Sequence, residues 1–131
     1  MSPAKSLPPR PTQAELEILN ALWECGPSSV REVRQRLTQS RAFGYTTVLK
    51  LLQIMVGKGL VLRDESERVH VYRAAIAREQ TQRQLLTDLL ERAFGGSASQ
   101  LIQQALATRR ASPQEMRQIR QLLERAEGDK P

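Results

Sequence analysis

The stretch whose reading decides the fold is Gly44–Gly59, GYTTVLKLLQIMVGKG. At about 100° per residue, Val48, Leu51, Leu52, Met55 and Val56 gather on one side of a helix. Thr46, Lys50, Gln53 and Gly57 fall on the other, at spacings of four, three and four. Such a helix buries one side and offers a narrow strip of hydroxyl, ammonium and amide, the groups that read base edges and phosphates in a DNA major groove. A polar strip alone is weak evidence, because most polar helix faces are merely solvated. Its neighbours decide the matter.

Upstream, two capping boxes announce helices. Thr12 with Glu15 opens one of about Gln13–Glu24, stopped by Gly26-Pro27, and its Leu16, Leu19, Ala21 and Trp23 are available for packing. Ser29 with Glu32 opens a second near Val30–Thr38, which buries Val30, Val33 and Leu37 and exposes Arg31, Arg34 and Arg36. Gln39–Gly44 then turns the chain into the third helix. That helix ends at Gly59 with apolar Leu60 just beyond, the pattern of a left-handed cap. Two β-like runs follow, Leu60–Arg63 and Val69–Tyr72, joined by the charged turn Asp64–Arg68. Three helices and a hairpin describe a winged helix-turn-helix, with the hairpin as the wing.

After Ala74 the pattern changes. Leu85, Leu86, Leu89, Leu90, Ala93 and Phe94 line a helix near Arg78–Phe94, which Gly95-Gly96 breaks. A short helix carries Leu101, Ile102 and Leu106. A last one, opened by the capping box Ser112 with Glu115 and by Pro113, carries Met116, Ile119, Leu122 and Leu123. Three such helices cannot enclose a core alone. A second copy of the chain is the simplest partner, and the expected dimer face is Leu86, Leu89, Leu90, Leu101, Ile102, Leu106, Ile119 and Leu122. The fold class is therefore mainly α. A flexible Pro-rich tail is expected at residues 1–11, a winged-helix DNA-binding domain at 12–75 and a helical C-terminal dimerisation region at 76–127.

Composition narrows the functions. The net charge of +6 favours an anionic partner, and the charge is uneven. From Arg31 to Lys58, six basic residues face one acid, Glu32, so +5 sits within 28 residues. The 57 residues from Ala75 onward carry nine basic and seven acidic groups, an ordinary solvated mixture. The single cysteine, Cys25, excludes an intramolecular disulfide and a cysteine-built zinc site, and is expected to be a small packed residue. No apolar run is long enough for membrane insertion, and the start MSPAKSLPPRPT lacks the apolar stretch of a signal peptide, so a cytoplasmic protein is expected. No glycine-rich phosphate loop, metal-ligand cluster or nucleophile–base–acid set is present, which argues against an enzyme and implies no cofactor and no metal. The lone His70 is expected as a strand residue of the wing, with Tyr72 and Trp23 in the core. A winged-helix protein-interaction module without DNA affinity is the competing class, and the basic cluster argues against it.

These residues resemble the penicillinase-repressor family of bacterial transcription regulators (the BlaI–MecI–CopY type). The matching features are AELEILNALW, the YTTV and KGLV that bracket the third helix, RVHVY in the wing, the Phe94–Ser97 break followed by LIQQAL, and SPQEMRQIRQLLE. The match runs from about Pro11 to Ala126. The resemblance implies a homodimeric repressor on palindromic double-stranded operators. It also implies derepression by cleavage or destabilisation of the dimerisation region, with a membrane-bound sensor metalloprotease encoded nearby as a further partner. The cysteine-rich motif of the copper-responsive branch is missing, which excludes copper sensing by that route. Well-studied members begin the third helix with Ser-Pro-Lys-Thr, where this chain has Gly44, Tyr45, Thr46 and Thr47 and keeps only the last. Members often have Thr where Lys50 stands and Arg where Ile54 stands. Their scissile Asn-Phe corresponds to Gln104-Ala105, the candidate cleavage region.

Expected base contacts are Thr46, Thr47, Lys50 and Gln53. Expected backbone contacts are Arg31, Arg34, Arg41, Tyr45, Arg63 and Arg68, because phosphate takes half or more of protein–DNA hydrogen bonds. Asp64, Glu65 and Glu67 would repel phosphate from the wing tip, so contact is expected from its flanks.

Overall fold

A computed structural model describes residues 10–37 and 43–128. The Pro-rich tail and Arg41 fall largely or wholly outside these residues. The order among them is α1 (Gln13–Cys25), α2 (Val30–Leu37), α3 (Tyr45–Lys58), β1 (Val61–Asp64), β2 (Val71–Ala74), α4 (Arg78–Phe94), α5 (Ala98–Thr108) and α6 (Pro113–Gly128). This is a mainly helical chain with a winged helix at its start. The chain divides into two compact units, Met1–Leu86 and Thr87–Pro131.

In the first unit α1 and α2 start where a side chain takes up their free amides, whereas α3 starts at Gly44 with no side-chain cap. The Thr12 hydroxyl accepts from the Glu15 N–H at 3.2 Å, and the Glu15 carboxylate accepts from the Thr12 N–H at 2.9 Å. Ser29 and Glu32 close the same reciprocal pair at the start of α2. Ile18, Leu19 and Leu22 of α1, Val30, Val33 and Leu37 of α2, and Val48, Leu52 and Met55 of α3 meet in one core. Leu60, Val61 and Tyr72 close it from the hairpin. The predicted core face of α3 is borne out, with Leu51 and Val56 half-buried at its margins.

The end of α3 is a Schellman motif. Gly59 sits at φ 79°, ψ 15°, its N–H reaches the Val56 carbonyl, and the Leu60 N–H reaches Met55 O at 2.9 Å. Met55 and Leu60 are both fully buried, giving the motif its apolar contact. A side chain at Gly59 would meet no atom within 4 Å, so its cost is conformational alone. Gly59→Ala is expected to destabilise the fold by about 1–2 kcal/mol, read as a lower midpoint in urea with an unchanged slope.

The wing begins later than the sequence suggests. Leu60 is spent on the helix cap, so β1 starts at Val61 and pairs antiparallel with β2 in the register Val61↔Ala74 to Asp64↔Val71. Val69 and His70 consequently fall in the connecting loop, and the expected strand position of His70 is corrected. Ser28, just before α2, exchanges both backbone hydrogen bonds with Tyr72 at 2.8 and 2.9 Å, tying the first loop to the wing's inner strand. Cys25 also departs from expectation and is exposed, because it ends α1 where Gly26 turns the chain away from the core. Trp23 is half-buried, donates its indole N–H to Ile76 O at 3.0 Å and lies under the Arg78 guanidinium. Thr81, at the start of α4, is fully buried.

In the second unit Gly95 and Gly96, both at positive φ, end α4 as expected. Ser97 caps α5 by accepting from the Gln100 N–H at 3.1 Å. Ser112 accepts from the Glu115 N–H at the start of α6. No residue of α5 or α6 is buried.

Candidate nucleic-acid interface

Two faces of α3 have separate work. Val48, Leu52 and Met55 hold it in the core, while Thr46, Thr47, Lys50 and Gln53 all stand exposed on the opposite side. Among the described residues none of these four side chains has an intramolecular hydrogen-bond or ion-pair partner. A strip without internal obligations is free to meet a ligand. Tyr45, the first residue of α3, is 49% exposed.

Beside the strip runs an open groove of about 790 Å³ between α2, the start of α3 and the wing. Ser29, Arg31, Tyr45, Leu49, Arg68 and His70 are among its lining residues. Arg31 and Arg68, both exposed, bring positive charge to its walls, and Tyr45 brings a hydroxyl. Arg34, Arg36 and Lys58 are more occupied than their place in the sequence suggests. Arg34 donates from Nε to the Phe43 carbonyl at 3.2 Å, which fastens α2 to the segment leading into α3. Arg36 pairs with Glu24 at 2.9 Å. Lys58 pairs with Glu15 at 2.8 Å. Glu24 and Glu15 thus offset two of the six basic residues behind the +5 cluster of the sequence. Arg41 lies outside the described residues.

Glu15 is only 2% exposed, and its oxygens serve both the Thr12 N–H and Lys58. Burial raises its pKa, but the Lys58 ammonium and the Thr12 donors outweigh that effect, so the carboxyl titrates below its ordinary value. The wing tip is arranged around its acids. The Asp64 carboxylate accepts from the Ser66 N–H at 2.9 Å, which lowers its pKa and keeps it ionised. Arg63 donates from Nε to Glu65 at 2.9 Å, and Tyr72 followed by Glu65 raises its pKa. Arg63 is thus engaged within the wing, whereas Arg68 lines the groove. His70 Nε2 lies 4.0 Å from Glu65. Among the described residues no group of three or more His, Cys, Asp or Glu could hold a metal ion, and no helix is long and apolar enough to cross a membrane.

A family model described as penicillinase repressor matches residues 11–125. The chain belongs to the penicillinase repressor family. Relatives include a transcriptional regulator BlaI found in two strains of Mycobacterium tuberculosis, 32% identical over 87 residues that cover 66% of this chain. The match spans 63% of the length of those regulators. The penicillinase repressor of Bacillus licheniformis is 23% identical over 116 residues, covering 88% of this chain and 91% of its own. A solution structure of monomeric Bacillus licheniformis BlaI with the blaP half-operator aligns at a TM-score of 0.49 and 25% identity, over 56% of this chain and 89% of that one.

Within this family member, the residues expected at a dimer face carry large exposed apolar groups. Leu86, Leu89, Ile102, Leu106 and Leu122 are exposed, and Leu90, Leu101 and Ile119 are half-buried. Leu123, left off the expected face, is 51% exposed. Gln104 and Ala105 are exposed on α5. Sequence reading also passes over Ile54 as a contact residue because it is apolar. Its spacing of four from Lys50 nevertheless places it on the strip, where it is 46% exposed.

Proposed function

We propose that the chain is a DNA-binding transcriptional repressor that acts as a homodimer on palindromic operator DNA. The observation that carries this reading is the exposed, unpartnered strip Thr46, Thr47, Lys50 and Gln53 on a helix anchored by its other face. Its residue types suit the major groove, where hydroxyl, amide and ammonium groups pair with base edges. Arg31, Tyr45 and Arg68, which line the adjoining groove, are assigned to phosphate, with Arg34, Arg63 and Arg41 as further backbone contacts. Family membership supports the reading, as do the names of its relatives, a transcriptional regulator and a penicillinase repressor.

On this reading residues 12–75 form the DNA-binding domain and residues 76–127 the dimerisation region, in a cytoplasmic protein. The apolar residues of α4, α5 and α6 meet their equivalents in a second copy, since burying each large side chain contributes about 1.5–3 kcal/mol. Two linked α3 helices then engage two half-sites about one helical turn, or a small multiple, apart. Cleavage near Gln104-Ala105 by a membrane-bound sensor metalloprotease, or unfolding of α5, separates the half-sites and releases the operator.

The test uses duplexes that the full chain selects from a random pool. Lys50→Ala is expected to lose about 1–3 kcal/mol per half-site on selected DNA and little on unselected DNA. Arg31→Ala is expected to weaken both about equally and to reduce the salt slope by about one per half-site. Fluorescence anisotropy across a salt series separates the two. Affinity that does not fall as salt rises would sink the reading.

A further inference from the structure

Ile54 is an exposed branched apolar side chain on the face of α3 that otherwise presents Thr46, Thr47, Lys50, Gln53 and Gly57. Helical spacing puts Thr47, Lys50 and Ile54 along one edge of the strip, with Thr46, Gln53 and Gly57 along the other. The edge therefore combines the Thr47 methyl, the aliphatic stem of Lys50 and the whole of Ile54. Isolated apolar residues on protein surfaces are commonplace. Ile54 differs by its position, because a helix seated in the major groove cannot leave this side chain in bulk water. Where it meets the floor of the groove, it meets base edges. Guanine, adenine and cytosine present donors and acceptors there, and thymine alone adds a methyl group. An isoleucine against N7, O6 or an amino group strips water from a polar atom and returns no hydrogen bond. Against the thymine methyl it buries apolar surface on both sides.

We infer that Ile54 is a specificity-determining residue that selects thymine by contact with its 5-methyl group. The inference rests on the DNA-binding reading and adds the base that one edge of α3 prefers. Gly57, three residues further along, would meet no atom within 4 Å if given a Cβ, so among the described residues the surface at that end of the strip is open.

The experiment compares the full chain and its Ile54→Ala variant on a duplex selected from a random pool by the unaltered protein. Each thymine is replaced in turn by deoxyuridine, which removes the methyl and keeps every hydrogen-bonding group. Ile54 is exposed, so the variant folds, and a matching thermal melt verifies it. At one thymine, or at that thymine and its symmetry mate, deoxyuridine is expected to weaken the unaltered chain about fourfold per half-site, the value of one methyl-sized group buried. The variant is weaker on the thymine duplex and loses nothing further at that position. If deoxyuridine costs both proteins equally at every position, or costs the unaltered chain nothing, the inference is overturned while DNA binding stands. If the unaltered chain enriches no duplex at all, the DNA-binding reading fails first.

Discussion

A chain truncated after Leu86 is expected to lose about 100- to 10,000-fold in affinity for a duplex carrying two half-sites, while its affinity for one half-site stays near that of the intact protein. The cut keeps the whole core of the winged helix and removes the rest of α4 with α5 and α6. It also keeps contacts that a cut after Ala75 would destroy, namely the Trp23 indole bond to Ile76, the Arg78 guanidinium over that ring, and buried Thr81. Tethering two half-sites makes the second binding event intramolecular, and truncation returns it to a bimolecular one. Leu89→Glu with Leu122→Glu in the full chain should give the same loss, because carboxylates cannot be buried at an apolar interface without large cost. Sedimentation equilibrium gives the mass of each protein, and anisotropy on one and two half-sites gives the coupling. A truncated chain that binds the double site as tightly as the intact one would remove the C-terminal helices from operator control.

The second large effect is in stability. Lys58→Met is expected to lower the stability of the first unit by about 1–3 kcal/mol, below the range for fully buried pairs because Lys58 is partly exposed. It leaves the buried Glu15 carboxylate without its cation. For a domain of this size that is a fall in Tm of about 4–8 °C per kcal/mol. Glu15→Gln retains an acceptor for the Thr12 N–H, since glutamine also serves in capping boxes, and removes only the charge. Combining the two should recover part of the loss, and a double-mutant cycle measures that coupling. The pair also sets a pH dependence. The folded pKa of Glu15 lies below its ordinary value, so the stabilisation is fully present above that value and is lost as pH falls through the lowered folded pKa. Wild-type stability should therefore decline below about pH 4, and Glu15→Gln should decline less. Parallel acid curves for the two proteins would show that the pair contributes nothing.

What could be read from the sequence follows from range. Capping boxes, the Gly59–Leu60 ending and the two faces of α3 depend on residues within a few positions of one another, and each is found where periodicity and local hydrogen bonding put it. Glu15 was only half legible. Its bond to Thr12 is a local signal, but its partner Lys58 lies 43 positions away, and no spacing rule joins them. Lys58 therefore reads as one more cation for DNA until the fold pairs it. Arg36 misleads for the same reason through Glu24. The strand ends shifted because Leu60 satisfied two patterns at once, an apolar cap and a β-run, and the cap took it. Cys25 follows an apolar helix stretch, yet the core ends before the helix does. The spacing leaves Ile54 off the core face of α3, yet its side chain offers no hydrogen bond and so it is not among the expected contacts.

The division of labour on α3 also bears on how such a protein can change over generations. Val48, Leu52, Met55, Lys58 and Gly59 are bound by packing, pairing or backbone geometry. Thr46, Thr47, Lys50, Gln53 and Ile54 are exposed, and among the described residues their side chains have no hydrogen-bond or ion-pair partner. On the DNA-binding reading proposed above, substitutions at those five positions redirect the preferred DNA sequence while the fold remains intact, so new target genes can be acquired one replacement at a time without an intervening unstable ancestor.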